Sequence, residues 1–130
     1  MSEKAFVYRT DGTHELIEFE RGNSLSIIQS AVNGYIQCVR LTNTLEMWVN
    51  ENFIAEQLPL NILGSIFYKE NFGKDMPILG NILFTGGADD EGETLGLPSK
   101  EIEYLFACAK TAEPVLIAWK EHKEREGIQE

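Results

Sequence analysis

The chain is poor in the residues that most often do chemistry or staple small folds. Its 130 residues include only two histidines and two cysteines. His14 and His122 lie far in sequence from Cys38 and Cys108, so the spacing of a structural zinc site is missing. Ser24, Ser65 and Cys38 belong to no recognised nucleophile signature with either histidine. No lysine stands at P-loop spacing after a glycine-rich turn, which argues against nucleotide hydrolysis. No apolar run approaches the length of a membrane helix. The N-terminal MSEKAFVYRT lacks the basic-then-apolar pattern of a secretory signal, so a cytoplasmic protein is expected. In that compartment Cys38 and Cys108, each in an apolar pattern, read as reduced core thiols rather than as a disulfide.

Positive charge is also scarce. Eleven Lys and Arg stand against 21 Asp and Glu, a net charge of −10. Such a chain repels nucleic-acid phosphates, so direct DNA or RNA binding is not expected. The segment Gly86–Glu103 holds six acids (Asp89, Asp90, Glu91, Glu93, Glu101, Glu103) against Lys100, half of the net charge. Charge of this kind keeps a protein soluble. It also suits a protein partner with a basic surface.

What the chain does have is an ordinary globular composition, 43% apolar and 25% charged, and enough length for one hydrophobic core. Lys4–Thr10 and His14–Glu20 are rich in aromatic and β-branched residues and flank Asp11-Gly12, a hairpin signal. Asn23 or Ser24 opens a helix with Leu25, Ile28 and Val32 at helical spacing, and Asn33-Gly34 stops it. Strands follow at Tyr35–Leu41 and Leu45–Asn50, and Phe53–Leu58 reads as a short edge strand. Asn61 caps a helix over Ile62–Glu70 that ends near Gly73. Its Phe67 and Tyr68, with Phe72, read as core, or else as an apolar patch for a partner or for a small flat ligand. Ile78–Thr85 is apolar at nearly every position and predicts a central strand buried on both faces. Pro98 fits the first turn of a helix whose stripe is Ile102, Leu105, Phe106 and Ala109. Thr111 caps a further helix with Val115, Leu116 and Trp119 inward, and His122 bordering it. The expected class is α+β in two layers, an antiparallel or mixed sheet with helices on one face and a C-terminal helical extension. Residues 1–110 would form the α+β domain and 111–130 a helix packed on it.

The candidate binding residues are Thr85, Gly86, Gly87, Asp89, Asp90, Glu91, Glu93 and Thr94, where an apolar strand runs into a glycine-rich acidic loop. Functional residues concentrate on such loops. Gly86-Gly87 can expose backbone N–H groups to a phosphate, but the carboxylates that follow oppose an anion. Oxygen ligands for a divalent cation are present, yet their spacing is not that of a calcium loop. A solvated loop with glycines at its turns remains the plainer reading. No catalytic residue, metal site or cofactor is therefore expected.

The pieces Asn33-Gly34-Tyr35-Ile36, Met47-Trp48-Val49-Asn50, Leu58-Pro59-Leu60-Asn61 and Gly80–Gly87 occur in order, followed by Asp89–Leu97. Over roughly residues 5–106 the chain resembles a small domain family of unknown function found in bacteriophages, plasmids and other mobile elements. Two features depart from that pattern: Pro98 in place of a capping threonine or serine, and the added helix Thr111–Glu130. The resemblance implies a phage or mobile-element accessory protein and supplies no catalytic residues. Together these observations favour a non-enzymatic interaction module, possible as a homodimer, with the acidic loop as contact surface. The alternative is a module binding a nucleotide-like or metabolite ligand beside Thr85–Gly87.

Overall fold

The computed structural model describes residues 2–126. They fold in the order β1 (Ser2–Tyr8), β2 (His14–Glu20), α1 (Ser24–Val32), β3 (Ile36–Thr42), β4 (Leu45–Asn50), α2 (Ile62–Phe72), β5 (Ile82–Thr85) and α3 (Ser99–Glu126). The strands make one sheet of order β2-β1-β5-β4-β3, antiparallel at every pairing. The class is α+β, as the sequence predicts.

Local chemistry accounts for the two hairpins. Asp11 Oδ1 accepts from the Thr13 N–H at 2.9 Å and its hydroxyl at 2.6 Å, and Gly12 supplies the positive φ of 89° that closes the β1–β2 turn. β3 and β4 pair from Ile36↔Asn50 to Thr42↔Leu45, with an irregularity after Arg40. β5 then enters between β1 and β4, pairing Phe84 with both Phe6 and Met47. Its central, doubly buried place was legible in its sequence, but the strand is shorter than Ile78–Thr85. Gly80 sits at φ 89° and turns the chain, while Leu79 bridges to Leu60 instead.

The layers differ from the two expected. Phe6, Tyr8, Met47, Val49, Ile82 and Phe84 face α2 and α3, packing with Leu63, Phe67, Leu105 and Ala109. Ala5, Val7, Phe19 and Leu83 face the other way and pack on Ile28 of α1. Helices therefore cover both faces of the sheet. β1 shows why: Ala5, Phe6, Val7 and Tyr8 are all buried, and a strand apolar at both parities needs cover on both sides.

Further expectations are corrected. Phe53–Leu58 is not a strand. The Asn50 side chain accepts from the Asn52 N–H at 2.7 Å and starts a series of turns ending with Gln57 at φ 53°. No second helix begins at Thr111, because α3 runs unbroken through Pro114. Thr111 is not a cap; its hydroxyl bonds back to the Ala107 carbonyl at 3.0 Å. Val115 is half exposed, and the inner face is Ala112 and Leu116. Asn23 stands at the N-cap of α1 without a side-chain capping bond. Phe67 is core as expected, whereas Phe72 is exposed and packs on Tyr68 with the rings tilted by 42° and their centroids 4.8 Å apart. Both cysteines are free thiols and neither is a core residue: Cys108 is partly buried, and Cys38 on β3 is open to solvent with its thiol only partly desolvated.

Candidate functional site

The acidic loop is a small hairpin that prolongs β5. The Gly86 N–H donates to the Leu95 carbonyl and the Leu95 N–H returns to Gly87, both at 2.9 Å. Ala88 and Thr94 form an antiparallel bridge, and the Asp89 N–H donates to Glu93. Asp89 builds the tip: its Oδ1 accepts from the N–H groups of Glu91 and Glu93, each at 2.9 Å. Gly92, at φ 83°, completes the reversal. The chain returns to the sheet through the Gly96 N–H on Glu3 Oε1 at 2.8 Å and the Leu97 N–H on the Lys4 carbonyl at 2.9 Å.

This frame sorts the eight candidate residues into two groups. Thr85, Gly86, Gly87 and Thr94 are buried at the base. The Thr85 hydroxyl accepts from Trp48 Nε1 at 2.8 Å and donates to the Gly86 carbonyl. The glycines are there for space. A Cβ on Gly86 would stand 2.2 Å from the Gly96 carbonyl oxygen, and one on Gly87 2.3 Å from that of Asn43. The pair thus packs backbone on backbone, with the carbonyl oxygens of Gly96 and Asn43 against it, the wrong polarity for a phosphate cradle.

The second group is the tip. Asp90, Glu91 and Glu93 are exposed, and their carboxylates have no partner among the described residues. Lys4, Arg21 and Arg40 are engaged elsewhere, with Glu18, Glu3 and Glu46 respectively. Glu101, at the start of α3, accepts from the Thr44 hydroxyl at 2.9 Å and extends the acidic surface toward the β3–β4 turn. Among the described residues no three acids, histidines or cysteines converge as metal ligands.

A polar row on the α1 face of the sheet escaped the sequence reading. Arg40 Nε and Nη2 donate to Glu46 Oε2 at 2.9 and 2.6 Å, and the Glu46 side chain is 4% exposed. Glu46 pairs across the sheet with Thr85, which links this row to the base of the hairpin. Partial burial of the thiol and then the Glu46 carboxylate push Cys38 up to about 11, so it stays protonated at neutral pH. The alternation in Leu45–Asn50, which puts Glu46, Trp48 and Asn50 on one face, was the available signal.

His14 and His122 take no part in this region. His14 stacks on Phe6 and Tyr8 at the start of β2, and His122 stacks on Trp119 of α3. No described helix is long and apolar enough to cross a membrane.

A search of curated proteins and a search of solved structures each returned no match. The sequence does match one family, described as a domain of unknown function (DUF3846), over residues 3–109. That span takes in β1 from its second residue, the other four strands, α1, α2, the acidic hairpin and the first turns of α3, so the chain belongs to the DUF3846 family.

Proposed function

We propose that this protein is a non-enzymatic interaction module, an accessory protein of a bacteriophage or mobile element that works in the cytoplasm. Its contact surface is the acidic hairpin with the adjoining start of α3. The observation that supports this best is the contrast within the hairpin. Asp89 spends its carboxylate on the turn, whereas Asp90, Glu91 and Glu93 are exposed and have no partner among the described residues, on a frame already held by backbone bonds. Carboxylates held apart on such a frame suit several separate cations on a protein surface. The alternative, a nucleotide-like ligand beside Thr85–Gly87, has less support, because the Gly86 N–H is engaged and carbonyls crowd both glycines.

The test is affinity capture from a host lysate with the wild type and with the triple variant Asp90→Asn, Glu91→Gln, Glu93→Gln. Asp89 is left in place because its loss would unmake the turn. The expected result is loss of the captured partners by the variant, and by the wild type as salt rises. Identical partners for the two proteins would defeat the proposal.

A further inference from the structure

The two edges of the sheet are not alike. β2 carries Glu15, Glu18 and Glu20, charges of the kind that keep an edge from pairing with another chain. β3 reads IQCVRLT, and its one charge, Arg40, is tied down on Glu46. No described strand covers the outer side of β3.

The ladder tells which backbone groups point outward. The Glu51 N–H donates to the Tyr35 carbonyl at 2.8 Å, continuing the register Ile36↔Asn50 and Gln37↔Val49. Bonded and non-bonded pairs alternate in an antiparallel ladder. Gln37 and Val39 therefore turn their backbone groups to β4, and Ile36, Cys38 and Arg40 turn theirs away from it.

Beside this edge, on the face that carries α2, lies a cavity of about 420 Å³. Val39, Val49, Phe53, Ile54, Tyr68 and Met76 are among its walls. Ile54 is 62% exposed. Glu51 is also on the wall, and its carboxylate has no partner among the described residues.

We propose that the outer edge of β3 and this cavity form a docking site for an extended peptide that adds as a sixth strand. The peptide has apolar residues at alternate positions and a lysine or arginine directed at Glu51. Side chains of an added strand that point the same way as Gln37 and Val39 stand over the cavity, while its backbone meets Ile36, Cys38 and Arg40. Backbone bonds then provide affinity and the cavity provides selectivity. A second copy of this chain fits less well. Its β3 has only Arg40 as a cation, which is held by Glu46 on the opposite face from the cavity, and each copy carries a net charge of −10. This site is separate from the acidic hairpin and goes beyond the function proposed above.

The test uses the full chain and a library of short random peptides displayed on yeast. Enriched peptides should alternate apolar residues with at least one Lys or Arg, and binding should slow hydrogen exchange at the Cys38 and Arg40 amides. Cys38→Pro removes an outward donor at a site where an edge strand tolerates proline. Ile54→Glu places a charge at the cavity mouth. Each should weaken binding about tenfold or more, and Glu51→Lys should weaken peptides that depend on their cation. The triple hairpin variant should bind as the wild type does, which keeps this proposal apart from the previous one. If Cys38→Pro does not fold, Ile54→Glu and Glu51→Lys, both at exposed positions, still decide. The proposal falls if no peptide is enriched, if peptides bind the folded variants unchanged, or if a dimer through β3 excludes them.

Discussion

Single residues here are often fixed by what surrounds them rather than by a role of their own. Gly86 and Gly87 look like a ligand cradle in sequence, and in the fold they are the positions where a side chain would strike a carbonyl. Asp89 looks like one more surface acid and is the residue that folds the hairpin tip. Cys38 looks like a core thiol and is an exposed thiol beside a buried carboxylate. That last placement has a pH consequence. Partial desolvation of the thiol first, and Glu46 second, raise Cys38 to about 11 in the folded protein, above the roughly 8.5 of an unfolded cysteine. The folded state thus stays neutral where the unfolded state ionises. Its contribution to stability is whole below the unfolded value and is lost as pH rises from there toward the folded one. In a Cys108→Ala background, the thiolate absorbance of the native protein should titrate near 11, and Glu46→Gln should lower the midpoint only part of the way because burial remains. A native midpoint at the ordinary thiol value would show that neither effect acts on Cys38.

At the scale of elements, periodicity and turn chemistry made most of the fold legible. β2, β4, the αL stop of α1 at Asn33 and the capping of α2 by Asn61 all follow from short-range signals. What was not legible depends on partners distant in sequence. Pro114 stands inside α3, where local rules place a helix start, because Leu105, Ala109, Ala112 and Leu116 all dock inward along one line. Asn61 joins both kinds of information. Its Oδ1 caps the Gly64 N–H at 2.9 Å, which the sequence announces. Its Nδ2 donates to the carbonyls of Tyr8 at 3.2 Å and Gly80 at 2.9 Å, which nothing local announces. This fully buried side chain therefore ties α2 to β1 and to the turn before β5. Asn61→Ala should cost about 2–4 kcal/mol, roughly 1 for the cap and the rest for buried carbonyls left without donors. Asn61→Asp keeps the capping oxygen but loses both donations and sets a charge against two carbonyls. Urea denaturation should find it at least as unstable as the alanine variant. An aspartate variant close to wild type would mean that capping alone matters.

The molecule as a whole raises the question of where its folding unit ends. The family match stops at residue 109, whereas α3 continues to Glu126. The helix past that point is attached to the sheet at its far corner. Leu116 fills the space over Gly12, where a Cβ would lie 2.3 Å from its Cδ2, and Lys120 donates to the Asp11 carbonyl at 3.2 Å. Ala112 and Leu116 are buried, and Tyr8, beneath this part of the helix, is 2% exposed. Deleting residues 111–130 should leave a chain that still folds, since the sheet, α1, α2 and Ser99–Lys110 of α3 keep both core clusters apart from Ala112. The loss of Leu116 burial is worth about 1.5–3 kcal/mol. With the smaller share of Ala112, the truncated protein should be less stable by about 2–4 kcal/mol. Trp48 remains after the deletion, bonded to Thr85 at the centre of the sheet, and its fluorescence in urea can follow both proteins. A truncated chain as stable as the full one would make the end of α3 an appendage with no share in the core. A chain that fails to fold would mean that the matched region is only part of the folding unit. A lowered but cooperative transition would place the end of α3 as a brace on the β1–β2 hairpin, added to a domain that already holds its own fold.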